Sequence, residues 1–122
     1  MPTFQQGVVI FAEICDPTGR NPKIRPVVII TPQDEIESAE LLQGVAVSAT
    51  AFYDDPRPPQ YVVLPWQREG RVMTGLNKPC VAVCDWITEF LQDDIDRVSG
   101  SVPTEILLTI LSNVQPYRPP YS

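Results

Sequence analysis

Lys23-Ile24-Arg25-Pro26-Val27-Val28-Ile29-Ile30-Thr31 is the stretch that decides how the rest of the chain is read. From Pro26 to Thr31 it is almost wholly apolar and rich in β-branched residues, which favours a strand. A continuous apolar run, without alternation, is expected to lie centrally in its sheet. Arg25 stands at its mouth, directly before the proline that stiffens the backbone.

Working outward, fourteen prolines in 122 residues weigh against long helices. Strands are expected at Gly7–Ile14, Pro26–Thr31, Val45–Thr50, Tyr61–Leu64 and Val81 to about Phe90, the last part of which reads as strand or helix. Asp16-Pro17-Thr18-Gly19-Arg20-Asn21-Pro22 is dense in turn residues and reads as a loop. Gln33–Gln43 is polar, a short helix or a loop; Asp54–Gln60, with Pro56, Pro58 and Pro59, is a loop; Trp66–Pro79 is a loop or an irregular hairpin.

The tail differs. Gly100 and Pro103 interrupt the chain, and Thr104–Val114 follows with Ile106, Leu107, Ile110, Leu111 and Val114 on one helical face. Pro103 suits a helix start. The expected architecture is mainly β: one domain over residues 1–115, a small and highly curved barrel with short helices and a C-terminal helix, then a frayed proline-rich tail at 116–122.

An apolar fraction of 43% and a charged fraction of 20% are those of a globular chain. No apolar run reaches the length of a membrane span, and Met1–Gln6 has no basic leader, so a cytoplasmic protein with no membrane partner is expected. The odd set Cys15, Cys80 and Cys84 then reads as reduced thiols. Cys80 and Cys84 are four apart, but the chain has no histidine, and they read as small buried apolar residues rather than zinc ligands. No cofactor is expected.

The net charge of −6 argues against a surface coated for non-specific nucleic-acid binding. Yet seven of the nine basic residues, Arg20, Lys23, Arg25, Arg57, Arg68, Arg71 and Lys78, fall in or beside loop-like segments between positions 20 and 78. Either they make a locally positive face or they are charges on solvated loops.

Absent histidines exclude Ser-His-Asp and Cys-His chemistry and any His-based acid–base pair. Gly70 and Gly75 lack the context of a phosphate-cradling loop. Carboxylates, arginines, hydroxyls and thiols remain. The guanidinium of Arg25 matches phosphate oxygens, or else pairs with a carboxylate such as Asp16. Ser48 and Thr50 share one face of their strand, where a terminal threonine is otherwise simply a good β residue.

In order, the chain carries Gly7-Val8-Val9-Ile10 leading to Asp16-Pro17-Thr18, then Arg25-Pro26-Val27-Val28-Ile29, and a strand ending in Thr50. Thr74-Gly75-Leu76, Cys84-Asp85 and Gly100-Ser101-Val102-Pro103 before the last helix follow. This ordered set, over roughly residues 7–114, resembles the MazF/PemK family of bacterial toxins. The resemblance implies an SH3-like barrel of the MazF/CcdB type that forms a homodimer. It implies a metal-independent, sequence-selective endoribonuclease acting on single-stranded RNA, and a cognate antitoxin covering the groove. It carries catalytic roles to Arg25 and Thr50, and with them Asp85 for proton transfer.

Single-stranded RNA is read by stacking and by contacts to exposed base edges. Phe52, Tyr53 and Trp66 are candidates for stacking, and Ser48 shares the face of Thr50. Trp66 reads equally as a core or dimer-interface residue. Arg20, Lys23, Arg57, Arg68, Arg71 and Lys78 are candidates to track phosphates. The chain departs from the family in a short loop between Asp16 and Arg25, in Val83 where some members carry arginine, and in the apolar Trp86-Ile87-Thr88-Glu89-Phe90. Two alternatives follow: a catalytically decayed barrel that binds only a protein partner, and a CcdB-like gyrase poison.

Overall fold

A computed structural model describes residues 4–49 and 58–114. The strands are β1 (Val8–Ile14), β2 (Lys23–Ile29), β3 (Leu41–Ser48), β4 (Tyr61–Val63), β5 (Val81–Leu91) and β6 (Ile95–Ser101), followed by helix α1 (Thr104–Val114). They form one antiparallel sheet in the order β4-β5-β3-β2-β1-β6. The expected mainly β architecture, closed by the C-terminal helix, is what is found.

β2 lies inside the sheet, between β3 and β1. Val27, Val28, Ile29 and Ile30 are all fully buried, and they serve two different cores. Val28 and Ile30 join Val9, Val45, Val47, Leu64 and Cys84 under α1; Val27 and Ile29 join Ile10, Ile14, Leu42, Ala46 and Phe90 on the other face. Successive side chains of a strand point to opposite faces, so a two-sided core requires the unbroken apolar run. Each such side chain contributes about 1.5–3 kcal/mol by leaving water.

Pairing with β3 covers only Val27, Val28 and Ile29. It ends next to Pro26, which has no N–H to offer a ladder. Pairing with β1 continues through Arg25↔Ala12, Ile24↔Glu13 and Lys23↔Ile14. β2 therefore begins at Lys23, earlier than its apolar residues suggest, and its first residues have one edge not used by β3.

Other boundaries shift for similar reasons. Only Gln33–Glu35 of the 33–43 segment is a 3₁₀ turn, and β3 starts at Leu41 because it pairs there with Leu91 of β5. That pairing also keeps β5 extended to Leu91, so its last part is strand and not helix. β6 was not expected at all. Its Ser99, Gly100 and Ser101 look like a break, but it pairs with β1 through two register shifts. Helix α1 has the expected span and face: Ile110 and Val114 are fully buried, with Ile106, Leu107 and Leu111 packed on the same core.

A tied loop holds the outer side of β6. Ser101 N donates to Met73 O at 2.9 Å, and Ser99 Oγ donates to Thr74 O at 2.8 Å. The buried Thr74 hydroxyl donates to Pro65 O at 2.7 Å and accepts from Leu76 N at 3.2 Å. Gly75 has φ +72°, and a Cβ there would lie 2.2 Å from Ser99 O. Gly75→Ala is therefore expected to destabilise the protein by about 2 kcal/mol or more, read as a lower urea midpoint at unchanged slope.

Candidate active-site groove

Where β2 runs past β3, the sheet opens into a groove of about 830 Å³. Its lining comes from the start of β2, the end of β3, the loop after Gly75, Trp86 of β5 and residues 97–99 of β6. Lys23, Arg25, Lys78 and Arg97 all line it, and no acidic residue is among the lining residues described. A concave wall with charges of one sign focuses potential on an anion, even in a chain of net charge −6.

Arg25 is half-buried and held on three sides. Its guanidinium lies 5.3 Å from the ring centroid of Trp86, donates to Ile14 O, and donates to Asn21 O at 3.1 Å. Trp86 reaches the groove because β5 bulges there. Ala82 faces Val47 and Ile87 faces Val45, so Val83 to Trp86 fall opposite Ala46 alone. Gln60 O accepts from Cys84 N at 2.8 Å on the far side of the bulge. A bulge of this kind re-aims a side chain.

Asp16 does not pair with Arg25; it organises the loop that does. Its carboxylate accepts from Thr18 N at 3.0 Å, Thr18 Oγ1 at 2.6 Å, Arg20 N at 3.0 Å and Asn21 Nδ2 at 2.7 Å. This web holds Asn21 at φ 54°, a conformation that asparagine tolerates, with its carbonyl on Arg25. Asp16 thus sets the backbone against which the arginine rests.

The candidate residues divide in space. Lys23, Arg25, Ser48 and Lys78 line the groove. Arg20, Trp66, Arg68, Arg71 and Asp85 are not among its lining residues; Asp85 is exposed on the β5 bulge beside Trp86. Thr50, Phe52, Tyr53 and Arg57 lie outside the described residues, although Ala49, directly before Thr50, lines the groove. Arg97 and Trp86 belong to the groove and were missed. Arg97 sits on a strand that was not expected, and Trp86 in an apolar segment read only as the last part of a strand or as helix.

Cys80 and Cys84 behave as the expected small buried residues. Both are buried, and burial pushes their pKa up to about 11 and about 12 respectively. Cys15 is exposed. Among the described residues, no helix is long and apolar enough to cross a membrane.

Hydrogen bonds from Thr18, Arg20 and Asn21 hold the Asp16 carboxyl well below the usual carboxylate range. A carboxylate depressed in the folded state contributes its stability in full above its unfolded pKa, and loses it progressively as pH falls from there through the folded value. The loop is thus expected to hold at neutral pH, to weaken as pH falls below the ordinary carboxylate range, and to lose the Asp16 contribution wholly at strongly acid pH. In Asp16→Ala the amides of Thr18 and Arg20 should exchange faster at neutral pH, read by NMR, while the amides of β2 keep their protection.

No family model matches the sequence, and no curated protein matches it by sequence. Solved structures do match in shape. MazF from Deinococcus radiodurans has a TM-score of 0.71 at 15% identity, over 95% of this chain and 96% of that one. An endoribonuclease in complex with its cognate antitoxin, from a mycobacterial species, has a TM-score of 0.63 at 14% identity, over 96% and 94%. The Mycobacterium tuberculosis toxin MazF-mt6 has a TM-score of 0.64 at 17% identity, over 88% and 94%. Along nearly its whole length, the chain has the fold of the MazF toxins.

Proposed function

We propose that this chain is the toxin of a toxin–antitoxin pair and a metal-independent endoribonuclease for single-stranded RNA. Its partners would be a cognate antitoxin and a second copy of itself. The observation that carries the reading is Arg25, a fixed guanidinium in a groove with cationic and no acidic lining residues among those described. The fold shared with MazF toxins, and with an endoribonuclease solved in complex with its cognate antitoxin, adds support.

RNA carries its own nucleophile. The 2′-oxygen attacks the adjacent phosphorus, the bond from phosphorus to the 5′-oxygen breaks, and a 2′,3′-cyclic phosphate and a 5′-hydroxyl result. Water relays the proton from the 2′-hydroxyl to the leaving 5′-oxygen. The protein has two tasks: to hold the strand in line, and to neutralise the charge that grows on the phosphoryl oxygens.

Arg25 suits the second task. Two of its N–H groups go to fixed carbonyls, its face rests on Trp86, and the guanidinium, with five N–H donors in all, belongs to a side chain that lines the groove. A donor that need not reorganise is worth most when charge develops. Thr50, next in the chain after the groove residue Ala49, is proposed to bond a phosphate oxygen and fix the geometry. Asp85 is not needed in this scheme.

Purified protein should cut a long single-stranded RNA in EDTA into discrete products, and should leave DNA of the same sequence intact, because DNA lacks the 2′-hydroxyl. Arg25→Ala should lower the rate by about 10²–10³, and Arg25→Lys should restore little, because an ammonium cannot reproduce the fork. Uncut RNA, with folded protein free of antitoxin, would favour the decayed, partner-binding barrel instead.

A further inference from the structure

Arg97 is the groove cation with no role so far. It lies on β6 directly across from Phe11 of β1, and its guanidinium sits over the Phe11 ring at 4.0 Å from the centroid. Phe11 in turn faces Pro26 across the β1–β2 ladder, next to Arg25. The groove therefore holds two arginines that each lie against an aromatic face, Arg25 on Trp86 and Arg97 on Phe11.

The two differ in what they can do. Arg25 is half-buried and fixed by carbonyls; the side chain of Arg97 is 61% exposed, and its one ion pair among the described residues is with its exposed neighbour Asp96 at 3.3 Å. Exposed pairs of that kind contribute little and are readily exchanged for a better anion. Phe11 covers one face of the guanidinium and limits its motion, and leaves the N–H edge for a bidentate contact. β6 and β2 flank β1, and Arg97 and Arg25 enter the groove from these two strands.

We infer that Arg97, supported by Phe11, binds a backbone phosphate of the strand, one flanking the phosphate held by Arg25. It is a binding residue that sets affinity and register and makes no contact with the reacting atoms. The inference rests on the groove being a single-stranded nucleic-acid site, and it adds a residue that neither the Arg-Pro nor the strand-end threonine motif indicates.

Each phosphate neutralised in a single strand changes log K by about 0.7 per decade of salt. A short, fluorescein-labelled single-stranded DNA of mixed sequence is the probe, since it has no 2′-hydroxyl to react, and binding is followed by anisotropy across a salt series. Arg97→Gln should weaken binding on the order of tenfold at low salt and flatten the slope by about 0.7. Arg97→Lys should recover the slope, because it keeps the charge. Phe11→Leu should weaken binding with the slope kept, because it removes the platform alone. An unchanged slope in Arg97→Gln, beside salt-dependent binding by the parent protein, would overturn this inference and leave the ribonuclease reading standing. A parent protein that binds no oligonucleotide at any salt would overturn both.

Discussion

The structure depends on one constraint: β2 must be buried on both faces and yet give up one of its edges. Val27, Val28, Ile29 and Ile30 fill two cores at once. Two-sided burial fixes register strongly, since a slip by one residue would exchange the two sets of side chains. Pro26 then marks the point beyond which β3 no longer pairs. The residues before it, Lys23 to Arg25, stay on the ladder with β1 but leave the other side open, and that side is the groove. Rigidity and access thus come from adjacent residues of one strand.

Much of this was legible. β-branched residues without alternation announce a covered strand, and Ile106, Leu107, Ile110, Leu111 and Val114 announce the helix, because both patterns follow from local geometry. β6 was not legible. Gly100 is a strand residue here because Met73 O and the Thr74 backbone pass so close that a Cβ would meet them, a fact about a distant loop. Trp86 was hidden for a related reason: only the bulge against Ala46 turns it toward Arg25. In the groove, Arg25 could be singled out from its position before Pro26, whereas Arg97 could not, since its strand was unseen. Thr50 falls outside the described residues and stands on the resemblance and on its neighbour Ala49.

The acidic total charge and the cationic groove are compatible in physical terms. Lys23, Arg25, Lys78 and Arg97 meet in one concavity, while Asp34, Glu35, Glu37, Glu40, Asp93 and Asp94 are exposed elsewhere. Steering by local charge survives an opposite net charge when the charges in the cleft are close together and face low-dielectric walls. An acidic exterior also disfavours loose association with nucleic acid over the rest of the surface.

The most direct measurement is a crystal structure of the protein with a short single-stranded RNA whose reactive 2′-hydroxyl is replaced by hydrogen. A phosphate oxygen within hydrogen-bond distance of the Arg25 guanidinium, with the strand lying between Trp86 and Arg97, is the predicted result. An oligonucleotide seated on another face, with Arg25 still engaged only by Ile14 O and Asn21 O, would contradict the assignment of the groove.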